Sequence, residues 1–167
     1  MNRAPVILSE YDAAWPLKFE EEKTFLSGVI GEFLCGAIEH VGSTAVPGLV
    51  AKPVIDVMFG VESLKASKPA IAALESAGYV YSPYKTDVMH WFCKPSDEHR
   101  THHLHLIPYE SALWAERIEF RDLLRSDEQL ATRYADLKIG LAARYKDDRE
   151  TYTEKKWPFI REVLALA

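Results

Sequence analysis

Apolar side chains first recur at helical spacing after the pair Trp15-Pro16. The apolar stripe of this segment consists of Phe19, Leu26, Ile30 and Phe33. Proline is tolerated in the first turn of a helix, so a helix is predicted to begin near Trp15-Pro16. The charged run from Glu20 to Lys23 falls on the other side and is assigned to a solvated helix face.

The middle of the chain has the pattern of a β-sheet. The run Val54–Phe59 is almost wholly apolar and is broken by Asp56, which is typical of a central strand. Four other segments predict strands, at 37–41, 79–81, 88–93 and 102–107. A helix is predicted from Ser67 to Ala77, because Pro69 lies early in it and Gly78 follows as a C-terminal stop.

The pattern becomes helical from Ser111 onward. Ser126 and Gln129 form a candidate capping box for one helix. Another helix follows, and Trp157-Pro158 is expected to interrupt it. Together these elements predict an α/β (α+β) fold with a mixed sheet, flanking helices and a helical C-terminal part, and residues 1–167 are expected to form a single domain.

Composition narrows the class of protein. The chain has 167 residues, of which 48% are hydrophobic and 27% charged, as in ordinary globular domains. Its net charge of −5 argues against a broad basic surface for duplex nucleic acid or an anionic membrane. It has no apolar run long enough for a membrane span or a signal peptide, so a cytoplasmic protein without membrane partners is expected.

The segment from His40 to Asp56, HVGSTAVPGLVAKPVID, carries the candidate chemistry. A glycine lets the backbone approach a ligand closely, and the hydroxyls of Gly42-Ser43-Thr44 can donate to phosphate oxygens. Lys52 would neutralise part of the phosphate charge, and Asp56 would hold a divalent metal. The competing interpretation is an ordinary turn with a helix N-cap, and the tripeptide does not decide between the two.

This segment resembles the hallmark of the GrpB-type family, whose members read H-[I/V]-G-S-T-[A/S]-V-P-G-L-x-x-K-P-[I/V]-[I/L]-D. Further matches lie downstream, so that the resemblance covers nearly the whole chain; they are His103-Leu104-His105, Phe120–Arg125 and Tyr134–Lys156. The family also occurs as the C-terminal domain of some dephospho-CoA kinases. It is similar to the nucleotidyltransferase superfamily, in which a Gly-Ser at a strand end precedes a strand with metal-binding carboxylates.

The resemblance implies binding of a nucleoside triphosphate with a divalent metal, Mg²⁺ or Mn²⁺. It further implies transfer of a nucleotidyl group to an unknown small-molecule acceptor, or activation of a carboxylate. Asp56 and Ser43 are the candidate catalytic residues, and the candidate phosphate-binding residues are Gly42, Ser43, Thr44, Lys52 and Arg121. The sequence departs from the superfamily at Met58, where a second carboxylate would share the strand face with Asp56.

Two histidines offer a substitute for that carboxylate. His103 and His105 alternate along a predicted strand and therefore point to one face. If their strand lies beside that of Asp56, the three side chains can form a mixed imidazole–carboxylate metal site. In the competing interpretation, one histidine is a hydrogen-bonded core residue and the other faces substrate or solvent.

Arg121 has two interpretations as well. It lies four residues before Arg125, so the two share a helix face that can receive phosphate or carboxylate. The alternative is a pattern of helix salt bridges with Asp122 and Glu119.

A second hypothesis for the whole chain is a non-catalytic nucleotide- or metabolite-binding or accessory domain, related to the one fused to dephospho-CoA kinase. Met58 favours it, since it removes a metal ligand of the active superfamily. A third hypothesis, a protein-folding accessory, predicts an exposed apolar patch. Joint binding of metal and triphosphate at Asp56 distinguishes the first hypothesis from the second.

Overall fold

The computed structural model describes residues 5–166. Its strands are β1 (Leu34–Val41), β2 (Ile55–Val61), β3 (Val80–Tyr81), β4 (His90–Pro95) and β5 (Arg100–Pro108). Its helices are α1 (Trp15–Ile30), α2 (Leu64–Ser67), α3 (Ala70–Ser76), α4 (Ala112–Ser126), α5 (Glu128–Arg144) and α6 (Arg149–Ala165). The predicted α/β class, with a mixed sheet and a helical C-terminal part, is confirmed.

The strands form one sheet in the order β1-β2-β5-β4-β3. β2 and β5 run parallel, whereas the other pairs are antiparallel. β2 is a central strand with both faces covered, which explains its nearly continuous apolar sequence. The parallel register sets Asp56 opposite His103 and Met58 opposite His105.

The two faces of the sheet have separate cores. One face packs against α1 and α3 through fully buried side chains such as Leu26 and Leu74. On the other face, Met58 packs with Trp114 of α4. Successive side chains of a strand point to opposite faces, so Asp56 lies on the same side as Met58, towards the C-terminal helices.

The three C-terminal helices share a third core. It joins the segment after β1 to α4, α5 and α6, and its buried members are Val46, Leu49, Leu124, Tyr134, Phe159 and Val163. This packing holds α5 and α6 beside the loop that precedes β2. Among the described residues, no helix is long and apolar enough to cross a membrane.

The capping box predicted at Ser126 and Gln129 is wrong. Ser126 is the last residue of α4, and Asp127 is the N-cap of α5. The Asp127 carboxylate accepts hydrogen bonds from the backbone N–H groups of Gln129 and Leu130, at 2.9 and 3.1 Å. A carboxylate here also interacts favourably with the positive end of the helix dipole, which favours Asp127 over Ser126 as the cap.

The predicted interruption at Trp157-Pro158 is also wrong, because α6 continues through Pro158 to Ala165. A proline inside a helix removes one hydrogen bond and crowds the preceding turn. Here Phe159 and Val163 are buried in the third core on the C-terminal side of Pro158, and this packing compensates for the loss.

The solvated face predicted for Glu20 to Lys23 needs one correction, at Glu22. This side chain is only 7% exposed and forms an ion pair with Lys94 at 2.6 Å. It also accepts a hydrogen bond from the Tyr79 hydroxyl. Burial, followed by the Glu22 charge, raises the pKa of Tyr79, so the phenol stays protonated as a donor. Glu22 therefore links α1 to the sheet instead of facing solvent.

Candidate functional site

Asp56 on β2 is surrounded by polar side chains from neighbouring elements. Its Oδ1 accepts hydrogen bonds from His103 Nδ1 at 3.1 Å and from His105 Nε2 at 3.2 Å. Both histidines lie on β5, on the same face of the sheet as Asp56. The prediction that the two histidines and Asp56 share one face of adjacent strands is confirmed.

Burial and hydrogen bonding together set the protonation states of Asp56 and the two histidines. Burial alone would raise the pKa of Asp56, but the hydrogen bonds from His103 and His105 hold it well below its usual value. Burial lowers the pKa of His105 to about 4, so its imidazole is neutral at pH 7. With Nε2–H donating to Asp56, His105 Nδ1 is the acceptor for Arg117 Nη1 at 3.5 Å.

The predicted metal site is not formed by this arrangement alone. Among residues 5–166, no set of three or more His, Cys, Asp or Glu side chains is arranged as a metal-binding group. The two histidines instead direct a ring nitrogen at one carboxylate oxygen, as hydrogen-bond donors do. Binding of Mg²⁺ or Mn²⁺ by Asp56, His103 and His105 remains a prediction.

Basic side chains are concentrated around Asp56. The Nζ atoms of Lys52 and Lys156 lie 5.4 and 4.6 Å from the centroid of the Tyr152 ring. Arg117 contacts His105, while Arg149 and Arg100 lie close enough to shift the pKa of Lys52. We call this group the Asp56 site; its members are Asp56, His103, His105, Lys52, Lys156, Arg117, Arg149 and Arg100.

The mutual repulsion of these cations affects their protonation. Burial, followed by the charges of Lys156 and Arg149, lowers the pKa of Lys52 to about 7. Burial lowers the pKa of Lys156 to about 8, although the charge of Asp56 opposes this shift. A site with five basic groups, balanced by Asp56 at its centre and Asp97 beside Arg100, attracts anions.

Lys138 of α5 lies next to this site but is enclosed. It is 1% exposed, its Nζ donates to the Val50 carbonyl, and the ring centroid of Tyr134 is 4.9 Å away. Burial, followed by the charges of Lys156 and Lys52, lowers the pKa of Lys138 to about 6. Its amino group fixes the loop before β2 and is too enclosed to bind a ligand directly.

Gly42-Ser43 lies where β1 meets the short 3₁₀ turn Ser43–Ala45, as predicted. Gly42 has φ +74° and ψ −175°, a conformation that side chains strongly disfavour. A Cβ atom there would also collide with the Asp56 carboxylate. Gly42 thus lets the loop pass directly against Asp56, with the half-buried Ser43 next to it.

Thr44 was predicted to bind phosphate, which stays a prediction, and in this structure its hydroxyl bonds within the fold. Thr44 is 1% exposed, and its hydroxyl donates to the Val54 carbonyl at 3.1 Å. It accepts a hydrogen bond from His40 Nε2 at 2.9 Å, so its oxygen is fully used in the fold. Through this contact His40 holds the turn that follows Gly42 in place.

Phosphate binding by Arg121 also stays a prediction, and in this structure its guanidinium is paired with carboxylates. Its Nη1 forms an ion pair with Glu39 at 2.7 Å and donates to the His40 carbonyl at 3.1 Å. Its Nε pairs with Asp122 at 2.9 Å. Arg121 is 9% exposed and ties α4 to β1. Of the salt-bridge alternative, the pair with Asp122 is observed, while Glu39 takes the place expected for Glu119.

Arg117 was not identified from the sequence. It lies four residues before Arg121 on α4, so helical spacing places both on one side of the helix. Because α4 follows β5, the helix returns over the sheet face that carries His105, and that order of elements was the available signal. Lys156 and Arg149, which fall within the downstream match Tyr134–Lys156, also lie in the Asp56 site.

A groove of about 410 Å³ lies elsewhere, lined by residues of α5 and α6 that include Asp136, Pro158 and Phe159. It shares no residue with the Asp56 site. Its charged groups Arg133 and Glu162 are exposed and paired at 3.0 Å, which is an ordinary surface ion pair. We therefore assign candidate chemistry to the Asp56 site and none to this groove.

Replacing Gly42 with alanine should displace the Asp56 carboxylate and lower the free energy of unfolding by about 2–3 kcal/mol, through backbone strain and the collision. Gly48→Ala is a matched control, because Gly48 has φ +81° but a Cβ there meets nothing within 4 Å. Urea unfolding of both variants isolates the collision. Equal losses in the two variants would show that the contact between Gly42 and Asp56 has no effect on stability.

The fold and the site define a mixed α/β protein with an anion-attracting site around one carboxylate. The family model described as GrpB protein matches residues 5–166. The chain therefore belongs to the GrpB protein family, in agreement with its sequence motif.

The similarity to known proteins covers most of the chain. It is 38% identical over 169 residues to the glutamate-rich protein GrpB of Alkalihalophilus pseudofirmus, with 98% of this chain and 97% of the relative covered. The crystal structure of conserved protein GrpB from Enterococcus faecalis has a TM-score of 0.85 and 33% identity, with 94% of each chain covered. A dephospho-CoA kinase of Mycolicibacterium paratuberculosis is 29% identical over 190 residues, which cover 96% of this chain and 45% of that protein.

Proposed function

We propose that the protein is a nucleotidyltransferase-like enzyme that binds a nucleoside triphosphate at the Asp56 site. It then transfers the nucleotidyl group to a small-molecule acceptor or activates a carboxylate. The observation that carries the proposal is the placement of Lys52 and Lys156 next to the Tyr152 ring, close enough to Asp56 for its charge to affect the pKa of both. The negative charge of a triphosphate would balance the positive charge of these lysines.

The basic residues could take over part of the role of the metal-binding carboxylate that is replaced by Met58. Met58 is fully buried among apolar side chains, so it leaves no second metal ligand beside Asp56. Instead Arg117 and Lys156 approach from α4 and α6, and their charge can stabilise the phosphate oxygens during transfer. A free divalent cation does not fit this positive site, so Mg²⁺ or Mn²⁺ is expected to enter with the nucleotide.

Each central residue has a role in this proposal. Ser43, half-buried next to Gly42, donates its hydroxyl to a phosphate oxygen. Lys52 and Lys156 neutralise phosphate charge. Asp56 stays ionised because two neutral imidazoles donate to it, and its second oxygen, which lies by Gly42, would orient an incoming acceptor group by accepting a hydrogen bond from it.

A second candidate is a nucleotide- or metabolite-binding domain without catalysis. The buried Met58 supports it, as does the relative named as a dephospho-CoA kinase, of which this chain matches 45%. Both candidates predict nucleotide binding, and they differ in turnover. Incubation with nucleoside triphosphates and a panel of acceptors, followed by analysis for released pyrophosphate, separates them.

A nucleoside triphosphate at about a hundred times its dissociation constant should stabilise the protein by about 2.7 kcal/mol, which is a rise in Tm of roughly 5–11 °C. Thermal melts with each triphosphate, with and without Mg²⁺ or Mn²⁺, measure the effect. Lys156→Gln should lose most of it, because the variant lacks a cation of the site. Lys155→Gln is the matched control, since Lys155 is exposed on the same helix. If no triphosphate raises the Tm of the parent, the proposal is wrong.

A further inference from the structure

Arg149 has unused hydrogen-bond donors inside the protein. Its Nε and Nη1 atoms are buried and have no hydrogen-bond partner among residues 5–166. Four buried side-chain atoms in this part of the chain lack a partner, and three of them, these two and His103 Nε2, belong to the Asp56 site. Leaving buried N–H donors of a guanidinium unpaired is costly, so the two Arg149 atoms indicate a missing acceptor.

The position of Arg149 relates it to the lysines. Arg149, Tyr152 and Lys156 are spaced by three and four residues, so they lie along one face of α6. The helical rise places the Cα atoms of Arg149 and Lys156 about 10 Å apart along the helix axis. The two side chains therefore start two helical turns apart, a separation that a chain of phosphates matches better than a single phosphate does.

Arg100 approaches the same end of the site from the sheet. Its guanidinium carbon lies 4.9 Å from the centroid of the Trp91 ring, and that ring lies 5.1 Å from His103. The charge of Arg100 lowers the pKa of Arg149, after the larger effect of burial. Asp97 pairs with Arg100, so one carboxylate faces two guanidinium groups, and this end of the site keeps a positive charge.

We infer that Arg149 and Arg100 form a second anion subsite, which binds the distal end of a polyphosphate chain whose other end lies between Lys52 and Lys156. The inference rests on the proposed function, because it assigns the length of the ligand that the Asp56 site takes. It identifies the ligand class as an extended polyphosphate, such as the triphosphate of a nucleotide, in preference to a monophosphate. The Arg149 N–H groups donate to the terminal phosphate.

The test uses inorganic phosphate, pyrophosphate and tripolyphosphate as probes, measured by calorimetry at constant ionic strength. The parent should bind more tightly as the chain lengthens. Arg149→Gln should weaken tripolyphosphate binding by about ten-fold or more while leaving phosphate binding unchanged, because charged hydrogen bonds to the distal group are lost. Arg161→Gln, an exposed position on the same helix, should bind all three anions like the parent.

The ligand-free variants provide a second readout. Since two Arg149 donor atoms are buried without an acceptor, Arg149→Gln and Arg149→Met should have a Tm equal to or above that of the parent. A large fall in Tm in both would show a structural role and overturn the inference. The inference would also be overturned if Arg149→Gln weakened the binding of all three anions equally. Unchanged binding of tripolyphosphate to this variant, as expected if water occupies the subsite, would overturn it too. If the parent protein binds phosphate but its affinity does not rise with chain length, this inference alone is overturned. If the parent binds none of the three anions, the proposed function is overturned too.

Discussion

Raising the pH from 7 to 9 should stabilise the ligand-free protein, over a range where most proteins have passed their maximum stability. The cause is the set of three lysines at and beside the Asp56 site. Their pKa values are lowered from the ordinary 10.5 to about 7 for Lys52, about 8 for Lys156 and about 6 for Lys138, chiefly by burial. The unfolded chain therefore holds more protons than the folded protein in this pH range.

The sign and size of the effect follow from linkage. When the pKa of a basic group is lower in the folded protein than in the unfolded chain, its protonated form destabilises the folded state at pH values below the folded-state pKa. This destabilisation disappears as the pH rises towards the pKa of the group in the unfolded chain. Each proton held only by the unfolded state contributes about 1.4 kcal/mol per pH unit. Three lysines set an upper limit of about 4 kcal/mol per unit, and we expect about 1–2 kcal/mol, since Lys52 and Lys156 are partly accessible to solvent.

Urea unfolding at pH 7, 8 and 9 measures this slope. Lys138→Met should reduce it, because the lysine with the lowest of these pKa values is removed, and Lys155→Gln should leave it unchanged. Saturating triphosphate should also reduce the slope, since a bound anion favours the protonated lysines. A free energy of unfolding that stays constant or falls between pH 7 and 9 would contradict the buried cationic site.

The core of the site could be predicted because it depends on local rules. Alternation along β5 fixes His103 and His105 on one face, and the apolar run around Asp56 indicates a central strand. Once those strands are neighbours, the three side chains meet. The glycine of the Gly-Ser motif could be assigned in the same way, because Gly42 is needed wherever a backbone approaches a side chain closely.

The remaining parts of the site depend on contacts between distant elements. The sequence around Arg121 is equally compatible with binding phosphate and with pairing to Glu39, a residue 82 positions away. Thr44 has the residue type of a phosphate ligand, yet its hydroxyl is used by Val54 and His40. The positions of Arg149 and Lys156 beside Asp56 follow from how α6 packs, and helical periodicity does not determine that packing.

Replacing Asp56 with asparagine should lower the free energy of unfolding by about 2–4 kcal/mol without ligand, because the variant leaves neighbouring cations without their central counter-charge. The introduced amide oxygen can still accept a hydrogen bond from one imidazole, so the loss is mainly electrostatic. Asp122→Asn is the control; Asp122 is 55% exposed, and its partner Arg121 keeps Glu39. That variant should lose less than about 1 kcal/mol.

Ligand binding to the Asp56→Asn variant separates the possible roles of this carboxylate. If Asp56 acts as an ionised group among phosphate-binding cations, its removal relieves repulsion, and metal-free tripolyphosphate should bind the variant more tightly than the parent. If Asp56 is instead a metal ligand, the variant should be as stable as the parent without ligand and should lose the additional stabilisation that Mg²⁺ gives with a triphosphate. We expect tighter metal-free binding together with reduced stability, because His103 and His105 already direct hydrogen bonds at the carboxylate and the surrounding basic groups disfavour a free cation. Thermal melts and calorimetry measure the two proteins, each with and without Mg²⁺. Unchanged stability of Asp56→Asn together with loss of the Mg²⁺ response would instead assign Asp56 as a metal ligand.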